Sequence, residues 1–176
     1  MANVKWVLDP THSELLFKVK HLMITNVKGE FRTFSASIDG EDFTTAPLTV
    51  NIDAASVFTN NNDRDGHLKS PDFFDAEQFP GLTFVGKGFK KVDDEEYKLT
   101  GDLTIKDVTK EITLDVTYGG TNKDPWGNHK AGFSVKGKIN RSDFGLTWNS
   151  ALETGGVLVS EEVKIDAEVQ FVQQTV

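Results

Sequence analysis

The chain has 176 residues, 38% hydrophobic and 26% charged, with a formal net charge of −8. This fits one soluble domain over residues 1–176 with one core. The acidic balance excludes a nucleic-acid binder that tracks phosphates and argues against docking on anionic membranes through a basic patch. Cysteine is absent, which removes disulfides, thiolate metal sites and cysteine nucleophiles.

Residues 1–9 carry no apolar signal-like run, and no stretch reaches the length of a transmembrane helix. The expected location is cytoplasmic, or periplasmic where a signal has been removed. From there the dominant period is two. Leu15, Phe17 and Val19 alternate with Leu16, Lys18 and Lys20, and a second strand is expected around residues 27–38. Leu48, Val50, Ile52 and Ala54 alternate with Thr49, Asn51 and Asp53. A strand around 82–89 and alternating runs over 99–105, 112–118, 133–139 and 163–171 complete about eight half-buried strands. One apolar face per strand means an antiparallel sheet with one side in water. With no strong helical run to cover that face, the sheet closes on itself. The expected fold is all-β, an eight-stranded antiparallel barrel with a short helical crossover segment; a two-sheet sandwich is the alternative.

Residues 59–75 (TNNNDRDGHLKSPDFFD) break the pattern. Asp72 is expected to cap a short helical turn holding Phe73, Phe74 and Ala76, which Pro80 ends. A crossover of this length is functional or packed as a plug. The stretch imitates a calcium loop, with Asn61, Asp63, Asp65, Gly66 and Asp72 at suggestive positions. Asp rather than Glu at the twelfth position, Arg64 and Lys69 inside the loop, and a strand before it count against that reading. Arg64–Asp65 reads as a loop ion pair. His12, His21, His67 and His129 lack the spacing of a metal hydrolase, and His12 reads as a structural histidine. Two other long connections stand out. Residues 119–131 hold Trp126 in a Pro-Trp-Gly turn, and 147–160 hold Gly155-Gly156. Gly86, Gly88, Gly101 and Gly137 fall at inward-facing positions. They either kink the barrel or leave its lumen empty for an elongated apolar guest.

In this order and spacing the residues resemble the YceI-like family, lipocalin-like barrels described as binding polyisoprenoids and related amphiphiles. The resemblance runs through Trp6-x-x-Asp9-x-x-His12-Ser13, Phe17-x-Val19-x-His21 and Gly29-x-Phe31, then Arg64-Asp65-x-His67-Leu68, Phe73-Phe74-Asp75 and Pro80-x-x-Thr83-Phe84. It continues through Gly101-x-Leu103-Thr104-Ile105, Gly132-Phe133, Ile139-x-Arg141-x-Asp143-Phe144-Gly145 and Trp148-Asn149. It implies a lipocalin-like fold and a non-catalytic binder of an isoprenoid, quinone or fatty-acid-like ligand, and it is compatible with a homodimer. No cofactor is expected. The expected lining is Phe17, Val19, Phe31, Phe34, Phe84, Leu103, Phe133, Val135 and Trp148, with Phe73 and Phe74 plugging or lining one end. His21, His67, Arg141 and Asn149 are candidates for the polar end, although Arg64, Asp65 and His67 could equally only staple the loop. The rival readings are an enzyme using the same tunnel with His21 or His67 as acid/base, and a calcium-regulated interaction module.

Overall fold

The computed structural model describes residues 4–149 and 158–175; Gly155 and Gly156 lie outside them. In chain order the elements are β1 (Val4–Leu8), β2 (Glu14–His21), β3 (Thr25–Phe31), β4 (Phe34–Ile38), β5 (Leu48–Asp53), β6 (Val57–Phe58), α1 (Asn62–Lys69), β7 (Gly81–Lys91), β8 (Glu96–Ile105), β9 (Val108–Lys123), β10 (His129–Asn140) and β11 (Val159–Thr175). Neighbours pair antiparallel in the order β1-β4-β5-β7-β8-β9-β10-β11, and β11 returns to β1. This is a closed ring of eight, a lipocalin-like barrel rather than a sandwich.

Three ring strands are bent. Short 3₁₀ turns at Pro10–His12 and Ala54–Ser56 separate β1 from β2 and β5 from β6. Arg32 and Thr33 interrupt the run between β3 and β4. The segment expected as one strand over 27–38 is therefore one kinked strand, and β1 and β6 are additions to the alternation reading. The other halves of these bent strands, β2, β3 and β6, continue from β11 in the order β11-β2-β3-β6.

Among the described residues, one end of the barrel is plugged. There the loop after β4 lays Phe43 across the opening. Its ring lies 4.8–5.5 Å from those of Phe89, Tyr97, Tyr118 and Phe133. Trp6 Nε1 donates to the Glu41 carbonyl at 3.2 Å and ties this loop down. At the other end β6 pairs only β3, through Glu30–Phe58 and Phe31–Val57. The pairing of β5 with β7 stops at Asp53–Gly81. The wall parts here, and residues 59–80, with α1, cross the gap.

Gly101 and Gly137 do not leave lumen empty. A Cβ on Gly101 would strike the Phe84 ring and the Val85 carbonyl, and one on Gly137 would strike the Leu114 side chain. Neighbouring side chains lie across these backbones and fill the space. Gly86 faces Leu48 and Leu99 within close contact, and the β7–β8 register shifts between Gly86 and Gly88. These two serve as barrel corners, the first of the two readings the sequence left open.

Candidate functional site

Two adjoining cavities lie along the barrel. The wide one, about 520 Å³, lies under the parted wall. The narrow one, about 150 Å³, lies toward the Phe43 plug. Leu15, Ile52, Leu103 and Ile165 line both and form the waist between them. Alternation aims these side chains inward from four different strands, so the tunnel follows from the period of two. The wide chamber has the size usual for a small-molecule site.

Most of the predicted lining falls on this tunnel. Phe17, Val19, His21, Phe31, His67, Phe73, Phe74, Leu103, Arg141 and Trp148 line the wide chamber. Phe34, Phe84, Leu103, Phe133 and Val135 line the narrow one. Asn149 lines neither. Its amide brackets Val159, donating to the carbonyl at 2.7 Å and accepting from the N–H at 3.1 Å. Phe133 is 6% exposed and packs on Phe43, Tyr118 and Phe171. A charge placed there would break the core before it reported on a guest.

The helix sits earlier than expected. Asn61, not Asp72, caps it, its side chain accepting from the Arg64 N–H at 3.0 Å. Phe73 and Phe74 follow in tight turns. Phe74 stacks edge-on against Phe31 at 5.5 Å, and Phe31 meets Phe17 at 5.6 Å, so an aromatic row joins the crossover to the wall. Phe73, His67 and Trp148 form a second aromatic group with centroids 4.7–5.5 Å apart.

The groups that imitate a calcium loop have other roles. Asp65 is buried and accepts from the N–H and hydroxyl of Thr59 at 2.8 and 2.5 Å. Arg64 Nε donates to the same hydroxyl at 2.7 Å and Nη2 to the Thr59 carbonyl at 2.6 Å. Arg64 and Asp65 thus share Thr59 as a hub rather than forming the expected direct ion pair. Asp72 meets His67 Nε2 at 2.9 Å. Among the described residues no three His, Asp or Glu side chains converge as a metal site. His12 bonds Asp9 at 2.9 Å, remote from the tunnel.

Arg141 is 3% exposed and donates to the carbonyls of Leu146, Trp148, Val159 and Ser160. Burial holds its pKa below the usual guanidinium value, against the opposing pull of Glu161. It pins the chain at the chamber's rim, and its donors already have acceptors. Among the described residues the polar side chains lining the mouth include Lys20, His21, Asn61 and Asp63 beside Arg64. Sequence reasoning missed Phe43, Leu15, Ile52 and Ile165. The last three carried the inward parity that could have found them; Phe43, in a loop, carried no signal.

A barrel plugged at one end, with apolar cavities inside and polar side chains at the other end among the described residues, defines the class: a lipocalin-like barrel with an apolar interior. The chain matches the model of the YceI-like domain over residues 6–171, and it belongs to that family. It is 43% identical over 169 residues to a UPF0312 protein of Staphylococcus aureus strain MSSA476, covering 94% of this chain and 96% of the relative. Among solved structures, the Campylobacter jejuni YCEI protein superposes with a TM-score of 0.73 at 42% identity, covering 89% of each chain. A polyisoprenoid-binding domain from Saccharophagus degradans, implicated in plant cell wall breakdown, superposes with a TM-score of 0.68. It shares 17% identity, covering 96% of this chain and 98% of that domain, a likeness of fold.

Proposed function

We propose that the protein is a non-catalytic binder that holds one long-chain amphiphile: an isoprenoid, quinone or fatty-acid-like molecule. The observation that carries this is the pair of adjoining apolar cavities, wide under the mouth and narrow beyond the four side chains they share, with Phe43 packed at the far end. Such a shape fits an elongated chain rather than a compact ligand. The chain enters past Phe17, Val19, Phe31 and Phe74, and burial of its surface supplies affinity at roughly 25 cal/mol per Å² before the costs of binding. The head group stays at the mouth, where His21 and Lys20 have no side-chain partner among the described residues and Arg64 adds a cation. These groups suit a phosphate, carboxylate or quinone oxygen. The polyisoprenoid named for the Saccharophagus domain is consistent with this reading.

The test is native mass spectrometry of freshly purified protein, followed by solvent extraction and mass analysis. An apolar molecule at about one per chain is expected, and adding it back to stripped protein should raise the melting temperature. Protein that is empty, and that no long-chain lipid or quinone stabilises, would overturn the proposal.

A further inference from the structure

The β2–β3 hairpin leaves the barrel beside the tunnel mouth. Its tip is Leu22-Met23-Ile24, and these side chains are 39%, 56% and 77% exposed. Leu22 and Met23 hold φ of 54° and 62°, a left-handed region that favours Gly, Asn or Asp in hairpin turns. Two apolar side chains therefore occupy a turn whose conformation calls for small polar residues. The tip is fastened to the mouth: the Leu22 N–H donates to the Leu158 carbonyl at 2.9 Å. His21 and Leu158, on either side of this bond, both line the wide chamber.

The outer face of the same hairpin is basic. Strand register places Lys138 opposite Lys164, Lys164 opposite Lys18, and Lys18 opposite Lys28. Four lysines thus stand in one row across β10, β11, β2 and β3. Directly opposed like charges destabilise a sheet, and none of the four makes an ion pair among the described residues. With Lys136 they line a surface depression of about 520 Å³ whose acidic members are Asp115, Glu162 and Asp166. Asp115 is already paired with Lys98. The row lies roughly 13 Å along the hairpin from its tip, at about 3.3 Å per residue. The net charge of −8 does not say where the lysines lie, and the strand register gathers four of them in this row.

We propose that this hairpin docks the tunnel mouth on an anionic lipid bilayer. Leu22, Met23 and Ile24 insert at the interface, and the lysine row sits against the headgroups. An apolar insertion and a polybasic face are the two signals that together give stable but reversible anchoring. A second copy of the chain is the less suited occupant, because pairing two such rows would face lysine against lysine. Trp126, 83% exposed, tips β9–β10 at the plugged end and takes no part. The inference goes beyond the tunnel's proposed guest. It is tested with vesicles that contain none, so either proposal can fail alone.

The experiment is vesicle flotation of the full chain with phosphatidylglycerol vesicles and, separately, phosphatidylcholine vesicles. Binding is expected on the first, with steep loss as salt is raised, and little on the second. Met23→Ser with Ile24→Ser should weaken binding about tenfold or more, as insertion is lost. Lys18→Gln with Lys28→Gln and Lys164→Gln should abolish the salt dependence. Met23, Ile24, Lys28 and Lys164 are exposed and Lys18 is half-buried, and unchanged thermal melts would show that the folds survive. Absence of binding, or variants that bind as wild type, would overturn the proposal. So would a tip variant that turns a dimer into a monomer by light scattering while vesicle binding is absent, which would give the surface to a second copy.

Discussion

Asp9 and Arg141 show how single charged side chains fasten this barrel. Asp9, whose side chain is only 12% exposed, receives hydrogen bonds from Lys130 of β10, from His12 and from Thr11. The Lys130 ammonium, first among these, holds the Asp9 carboxyl well below the usual carboxylate range, against the opposing effect of burial. A carboxyl whose folded pKa is depressed contributes stability above its unfolded pKa of about 3.9, and this is lost as pH falls toward the folded value. Asp9→Asn should therefore cost about 2 kcal/mol near neutral pH, the scale of charge-assisted hydrogen bonds. The gap between variant and wild type should narrow below about pH 4. Urea unfolding of both proteins across that window checks it; a gap that stays constant into acid would refute the assignment. The sequence showed half of this. Asp9 and His12 stood at a local spacing that brings them together, but Lys130 is 121 residues from Asp9 and only the closure of β1 on β11, next to β10, makes them neighbours. Arg141 was legible as a chemically notable residue and misread in its role. A guanidinium that donates to four carbonyls in a non-repeating loop leaves no periodic trace.

At the scale of elements, each expected strand lies on one of the eight ring positions, because alternation reports the half-buried face directly. The helix was displaced because α1 (NDRDGHLK) has no apolar stripe to reveal it. Its start rests on one side chain, Asn61, and the same letters fit a cation loop. The glycines left two readings open for a different reason. A missing side chain in sequence looks like empty space, and only the cross-strand partner says otherwise. Gly101 pairs with Gly86 of β7, and the Phe84 ring of that strand lies over it. Gly101→Ala should thus overpack the wall, with its Cβ about 2.6 Å from the Val85 carbonyl oxygen. A loss of about 1–3 kcal/mol is expected, read as a lower denaturant midpoint. If the glycine instead enlarged the lumen, the substitution would leave stability nearly unchanged and weaken ligand binding alone.

Considered whole, the molecule is a tube with unlike ends. At one end the wall parts and a polar crossover borders the mouth; at the other, Phe43 closes the tube against Phe89, Tyr97, Tyr118 and Phe133. If the tunnel holds a chain, the depth to this plug sets the length accepted. Phe43 is half-buried, so Phe43→Ala should cost about 2 kcal/mol rather than the 3–5 of a fully enclosed ring. The void adjoins the narrow chamber through Phe89 and Phe133, which line it. Guests longer than the wild-type limit should then gain affinity, while those that fit already should change little. Thermal-shift titration with a homologous series of isoprenoid alcohols or fatty acids measures this as a displaced cut-off in chain length. An unmoved cut-off in a folded variant would place the stop at the waist of Leu15, Ile52, Leu103 and Ile165, with the narrow chamber left as core packing.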